Sequence, residues 1–444
     1  MKVFIKEGFK YIFFLIVSTA VLTAQEVQTQ QDVIPVKTRY GFEINRLPVV
    51  NFNIYADFDP VEWYAKLYLA VAIQNDILQF KKAEKGFTAR YQITIAMRNQ
   101  QGVIFKETWK RSTSVKTFEL TNSRTRYQYS AFKIKQIFPF ESQKILPGNY
   151  NCLLEVRDLN AKTSYKSMRD FVIPSLDSLT NNQPAASGIT FLIFPAQDSL
   201  LQLYPTKKVI RFGQQAYAFF RMRTKKQKAM DFSVRIFLKQ EEEDYLFYSR
   251  NIHIDSDSLS TEVLYKMPMD TLPEGDYRIR FETDFADEMF IREREFSVIW
   301  YEKPIYLYRA DLAIRPMRYL LSPEEFERVN DMNYKEQEAW LDQYWREKDP
   351  TPKTIYNELL TVFYERVDKA IRQYSSRFQE GWETDRGRIF ILYGEPDKII
   401  NNRYAANSIP HIVWIYKKEN LEFIFVDRNG TGEFTLLEKE NEEK

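Results

Sequence analysis

In the stretch Tyr91-Gln-Ile-Thr-Ile-Ala-Met97 every second residue is large and apolar. Only an extended strand, whose side chains point alternately to opposite faces, gathers such a set on one side. The same alternation recurs at residues 65–73, 103–109, 127–138, 150–156 and 168–173, with no helical period between them. Short strands at this spacing predict an antiparallel β-sandwich. The 16% of aromatic residues suits strands lined with Tyr and Phe better than flexible linkers.

A second module repeats the plan. Leu146-Pro147-Gly148-Asn149-Tyr150 opens a strand that ends at Asp158, and Leu272-Pro273-Glu274-Gly275-Asp276-Tyr277 opens one that ends at Asp284. The two tyrosines are 277 − 150 = 127 residues apart, a domain-sized period. Each strand leads through a charged connection to a last one, ending at Phe171-Val172-Ile173 and at Phe296-Ser297-Val298-Ile299. The phrase resembles one found in bacterial immunoglobulin-like and fibronectin-like modules. A linker is expected within 175–187, around Asn181-Asn182-Gln183-Pro184.

After Trp300 the period changes. Ser322-Pro323-Glu324-Glu325 is a capping box with proline at the first helical position, and Trp340, Leu341, Tyr344 and Trp345 follow on one face. Thr351-Pro352 predicts another helix start, with Ile355, Leu359, Val362, Phe363, Val367, Ala370, Tyr374 and Phe378 at intervals of three and four. Strands are then expected at 388–393, 412–416, 421–427 and 433–437, the last after the hairpin pair Asn429-Gly430. Two main helices followed by an antiparallel meander make an α+β domain. The expected fold class is therefore multidomain: two antiparallel all-β sandwiches, then an α+β domain. Its expected divisions are 49–175, 188–300 and 301–437, with a polar leader at 25–48 and a charged tail at 438–444.

The densest motif is Gly381-Trp382-Glu383-Thr384-Asp385-Arg386-Gly387-Arg388, followed by an apolar run and then by Gly394-Glu395-Pro396-Asp397. Upstream stand Trp345, Asp349-Pro350-Thr351-Pro352 and Asn357-Glu358; downstream stand Trp414-Ile415-Tyr416 and a strand ending at Asp427. In these residues the chain resembles the GWxTD-domain proteins, over about 301–437. The resemblance implies an exported bacterial protein with sandwich modules ahead of the domain, and it supplies no biochemical activity.

Read on their own chemistry, these residues have two main roles open to them. In the first, the motif locks helix to sheet. Gly381 is then a left-handed cap after the long helix, Trp382 a core plug, Asp385 a cap or partner for Arg386 or Arg388, and Gly394 with Pro396 a tight turn. In the second, Asp385, Arg386, Arg388 and Asp397 line a groove for a peptide or glycan. A third reading, hydrolysis by a carboxylate pair such as Asp385 with Glu395, is weakened by the adjacent arginines, which keep carboxylates ionised. The two histidines, His253 and His411, stand apart, and no metal spacing, nucleophile elbow or phosphate loop is visible. No catalytic residue, metal or cofactor is assigned, and nothing requires an enzyme.

The N-terminus predicts export. Lys2, Lys6 and Lys10, diluted by Glu7, precede the uncharged stretch 11–22 and the small pair Thr23-Ala24, the order of a signal peptide spanning 1–24. Leu22, three residues before the expected cut, is larger than ideal. The apolar run is too short to span a bilayer, which takes about 20 residues. No cysteine follows it, so a lipoprotein anchor is not expected, nor is a transmembrane segment after cleavage. The lone Cys152, within an apolar run, reads as a buried thiol. With 63 basic against 61 acidic side chains the net charge is +2, a balance that argues against nucleic acid. The expected role is that of an exported envelope scaffold, periplasmic or extracellular, presenting its C-terminal domain to a protein partner. The alternative is a glycan-binding protein.

Overall fold

The computed structural model describes residues 31–38, 40–59, 64–123, 126–133, 148–173, 185–194, 201–223, 229–255, 260–285, 288–301, 303–377, 379–404 and 409–437. The expected signal peptide, most of the expected linker, Phe378 and the charged tail lie outside them.

The molecule is mostly β and sandwich-like, with several sheets and few helices. In its first part, the strands Val50–Asp59, Tyr64–Gln74 and Tyr127–Lys133 form one sheet. A second sheet runs in the order Ser164–Ile173, Gly148–Asp158, Gly86–Asn99, with Gly102–Val115 on the far side of Gly86–Asn99. Phe52, Leu69 and Val71 of the first sheet and Ile93, Ile95, Cys152 and Leu154 of the second share one core. The alternation that marks Tyr91, Ile93, Ile95 and Met97 is thus the face turned to that core. Burial pushes the Cys152 thiol up to about 12, with Asp170 adding to the shift. The short helix α1 (Phe118–Thr121) follows the edge strand.

The next sheet of the second part has the order Val209–Arg211, Glu288–Ile299, Gly275–Phe285, Met230–Leu238, Tyr245–Ile254. Its last three members reproduce the first part's Gly148–Asp158, Gly86–Asn99 and Gly102–Val115. The repeat extends to register: Tyr150 lies opposite Phe171, and Tyr277 opposite Phe296. Tyr277 also donates its hydroxyl to the Pro273 carbonyl at 2.9 Å, so the proline turn and the strand it opens are tied together. A facing sheet of Thr190–Ile193, Tyr217–Arg223 and Ser260–Lys266 closes the second core.

The third core joins helices to the strands Lys398–Asn402, His411–Tyr416, Leu421–Val426 and Thr435–Leu436. The helices are α2 (Ala310–Ile314), α3 (Pro323–Asn330), α4 (Tyr334–Glu347), α5 (Glu358–Tyr374) and α6 (Asp385–Tyr393). Several sequence expectations change here. Residues 388–393 are helical, not a strand: a short apolar run has no period of its own, and Thr384 caps it as a helix by accepting from the Gly387 amide at 3.0 Å. Ser322 does cap α3, but that helix stops at Asn330, and α4 restarts on an Asn333 capping box. The Thr351-Pro352 start is a turn, closed by Thr354 donating its amide to the Thr351 carbonyl at 2.9 Å. Helix α5 begins later, where Asn357 accepts from the Leu360 amide at 2.9 Å. The last strand is shorter than expected, Thr435–Leu436.

The described part of the polar leader is not loose. Ile34–Lys37 pairs with Glu43–Arg46 as a hairpin. At its base Asp32 accepts from Arg169 at 2.6 Å and from the Lys207 and Lys208 amides at 3.1 and 2.6 Å. At its tip Tyr40 and Phe42 pack on Tyr306 and Tyr308. One short segment therefore contacts all three parts of the molecule.

Candidate functional site

The motif residues divide among three places. The pentapeptide lies where α5, α6 and the turn between them meet, and backbone proximity explains its Gly381 and the nearby Gly387. A methyl group on Gly381 would overlap the Ala370 carbonyl of α5, and one on Gly387 would overlap the Gly381 carbonyl. Gly381 is therefore not a left-handed cap of α5; it opens a short turn seven residues beyond the helix end, in ordinary negative-φ geometry. Thr384 donates its hydroxyl to the Gly381 carbonyl at 2.8 Å while its oxygen caps α6.

Trp382 is 1% exposed. Its indole N–H lies 2.8 Å from both the Tyr306 hydroxyl and Glu380 Oε2, and its carbonyl accepts from Tyr319 at 2.9 Å. Tyr306 donates to the same carboxylate oxygen, and Tyr40 of the hairpin donates to Glu380 Oε1 at 2.9 Å. Burial first, and then the bond to Glu380, push the Tyr306 phenol far above its usual range. Glu380, Tyr306, Tyr319 and Tyr40 were not legible as a group, because Tyr40 and Glu380 are 340 residues apart.

Asp385 accepts from Arg388 at 3.2 Å and from the Leu436 amide at 2.9 Å, tying α6 to the last strand. Gly394 ends α6 at φ 81°, a conformation that favours glycine, and Tyr416 donates to its carbonyl at 2.9 Å. Arg366, which the helical period places only among the polar positions of α5, donates to the Ile391 and Leu392 carbonyls at 2.9 and 3.0 Å. It thereby satisfies the open C-terminal end of α6. Trp414 and Tyr416 are buried in the same core. Pro396 sits in the turn, and Asp397 accepts from the Lys417 amide at 2.7 Å. Asp427 accepts from the Thr431 and Gly432 amides at 3.0 and 2.8 Å, which folds the Asn429-Gly430 hairpin loop. Of the four expected groove residues, Asp385 and Arg388 bond each other, while Asp397 holds the Lys417 amide.

A third place is open. A cleft of about 530 Å³ lies between Leu307–Ala313, α4 and the segment leading into α5. Asp349 and Asn357 line it, with Trp345, Tyr308, Tyr334 and Ile355 as apolar wall. Among its charged groups, Arg309 pairs with Asp311 at 2.7 Å, and Arg346 pairs with Asp342. Asp349 accepts from the Thr351 amide at 2.8 Å. Asn357 donates to the Trp345 carbonyl at 2.6 Å, and the Thr351 hydroxyl donates to Glu358 at 2.7 Å; Pro350 is exposed beside them.

Residues 289–443 match the GWxTD domain family. The match starts 301 − 289 = 12 residues before the expected boundary, inside the strand Glu288–Ile299. The following Trp300 packs against Tyr356 at 6.0 Å between ring centroids, so the GWxTD region and that strand share a joint. No curated protein matches the chain.

Three solved structures show faint likeness. A red sea bream transglutaminase is 9% identical, over 57% of this chain and 32% of that one, with a TM-score of 0.17. The fibronectin(III)-like modules of Clostridium thermocellum CbhA are 9% identical, over 53% of this chain and 85% of that one, with a TM-score of 0.15. E. coli alpha-2-macroglobulin is 7% identical, over 62% of this chain and 18% of that one, with a TM-score of 0.17. The chain thus spans about a third of the transglutaminase and under a fifth of the macroglobulin. At these scores the likeness does not define the fold. Among the described residues no helix is long and apolar enough to cross a membrane.

Proposed function

We propose that this is an exported interaction protein in which two sandwich modules, about 49–175 and 188–300, present a C-terminal α+β GWxTD domain to a protein partner of the bacterial envelope. The observation that carries this reading is the cleft beside α4 and α5. Arg309, Arg346, Asp342, Asp349 and Asn357 are each engaged by neighbouring groups of the chain instead of converging on a free point, which is poor equipment for orienting a small substrate. Its apolar wall continues outward: Ile355, Leu359 and Val362 are 42%, 47% and 43% exposed. A mixed apolar strip with a charged rim is the anatomy of a protein contact.

Export rests on the basic n-region and apolar run before Ala24. The glycan reading has less support. The exposed aromatics Phe118, Tyr129 and Tyr245 of the first two parts stand on different elements.

A photo-crosslinking amino acid placed at Ile355 or Leu359, in cells expressing the full chain, tests the proposal. One discrete protein adduct is expected from these positions and not from Val103, which is also exposed. Adducts indistinguishable from the Val103 control would sink it.

A further inference from the structure

Arg386, the residue directly after the pentapeptide, is the cluster member with no charged partner among the described residues. Its guanidinium lies over two rings, 5.2 Å from the centroid of Tyr374 and 4.9 Å from that of Phe434. Its Nε is buried with no hydrogen-bond acceptor among the described residues. Arg403, exposed on the loop after the strand Lys398–Asn402, reaches the same Phe434 ring at 4.9 Å. Two cations are thus held on one aromatic ring. The motif carboxylates do not answer them: Asp385 is engaged by Arg388 and Leu436, Asp397 by Lys417, and Asp427 by Thr431 and Gly432.

Burial lowers the basicity of Arg386 and the charge of Arg403 lowers it further, with Tyr374 opposing them. Like charges beside a low-dielectric ring repel unless an anion joins them. Guanidinium is a planar, two-pronged donor, and the flat carboxylate is its natural complement between aromatic walls.

We propose that Arg386 and Arg403 form an oxyanion site, walled by Tyr374 and Phe434, that takes an aspartate, glutamate or C-terminal carboxylate of a protein partner. The assignment rests on the protein-partner reading for the source of the carboxylate. It makes the residue after the motif the recognition element, with the pentapeptide as the frame that aims it.

The test uses the full chain and a fluorescein-labelled hexaglutamate peptide, followed by anisotropy, with a hexaglutamine peptide and inorganic phosphate as comparators. Wild type should bind hexaglutamate and not hexaglutamine. Arg403→Gln should weaken binding about tenfold, the size of a lost charge-assisted contact. Arg386→Lys, which keeps the charge and loses the fork, should also weaken it. If Arg386→Gln fails to fold, the exposed Arg403→Gln still decides. Equal affinity of wild type and Arg403→Gln overturns the site. Binding of inorganic phosphate to the pair without binding of the peptide overturns the carboxylate assignment. Crosslinking from Ile355 that persists while peptide binding is absent sinks this site and leaves the interaction reading standing. Peptide binding without specific crosslinking does the reverse.

Discussion

At the scale of single residues, the pentapeptide and the two residues after it are a set of packing solutions. Gly387 has no room for a methyl group because the Gly381 carbonyl occupies that space. Gly387→Ala should therefore destabilise the C-terminal domain by about 3 kcal/mol or more, as overpacking against backbone that cannot move aside does. Urea denaturation followed by tryptophan fluorescence would measure it; a loss under about 0.5 kcal/mol would contradict the close approach.

His253 makes a different prediction. It bonds Asp231 at 2.7 Å and Asp255 at 3.2 Å, and these bonds raise its pKa above the ordinary 6.5. Since the folded pKa is the higher one, the stabilisation is fully present below the unfolded value and is lost as pH rises through the folded one. The melting-temperature difference between wild type and His253→Gln should be larger near about pH 5 than near about pH 9. A difference that does not change with pH would show that neither carboxylate engages the imidazolium.

At the scale of elements, α5 has two apolar faces with different roles. Phe363, Tyr364, Val367 and Ala370 are buried, whereas Leu359 and Val362 face solvent. Phe363→Ala should cost about 3–5 kcal/mol, and Leu359→Ala less than about 1 kcal/mol. The same Leu359→Ala should weaken capture of the crosslinked partner. If Leu359→Ala destabilises as much as Phe363→Ala, the strip is core and not contact surface. Helix α6 shows why an apolar run misleads at this scale. Ile389, Phe390 and Ile391 are buried in succession, which a strand between two layers and a helix in a core allow equally. The decision lay in Thr384, whose capping oxygen was in the sequence but competes there with its reading as part of a loop.

At the scale of the whole molecule, the leader hairpin acts as a strap. Asp32 and Arg169 form an ion pair whose side chains are only 11% and 8% exposed, and the same carboxylate holds the Lys207 and Lys208 amides. Removing one partner of such a buried pair strands the other charge, at about 3–5 kcal/mol. Asp32→Ala should lower stability by roughly that amount and speed hydrogen exchange at the amides of 207–208. Unchanged exchange there would mean that the first two modules hold together without the strap. Asn53 donating to the Tyr204 and Thr206 carbonyls at 2.9 and 3.2 Å, and Tyr55 donating to Ser187 at 2.8 Å, are further ties across this joint.

The strands, their paired repeat and the location of the GWxTD region were legible in the sequence because they rest on local pattern. Period-2 alternation selects a face, and a proline-glycine turn starts a strand wherever it occurs, so Tyr150 and Tyr277 announce equivalent positions. Buried Cys152 follows from its apolar surroundings in the same way. What a residue meets from far along the chain has no local signal. Gly381 and Gly387 show no sign, in sequence, of the carbonyls pressed against them. Nothing near Glu380 announces Tyr306 and Tyr40, and nothing near Arg386 announces Arg403 across the ring of Phe434. Local periodicity thus determined which elements exist. Only close packing between distant segments decided that the pentapeptide is wedged between α5 and α6, and that Arg386 meets Arg403 across one ring.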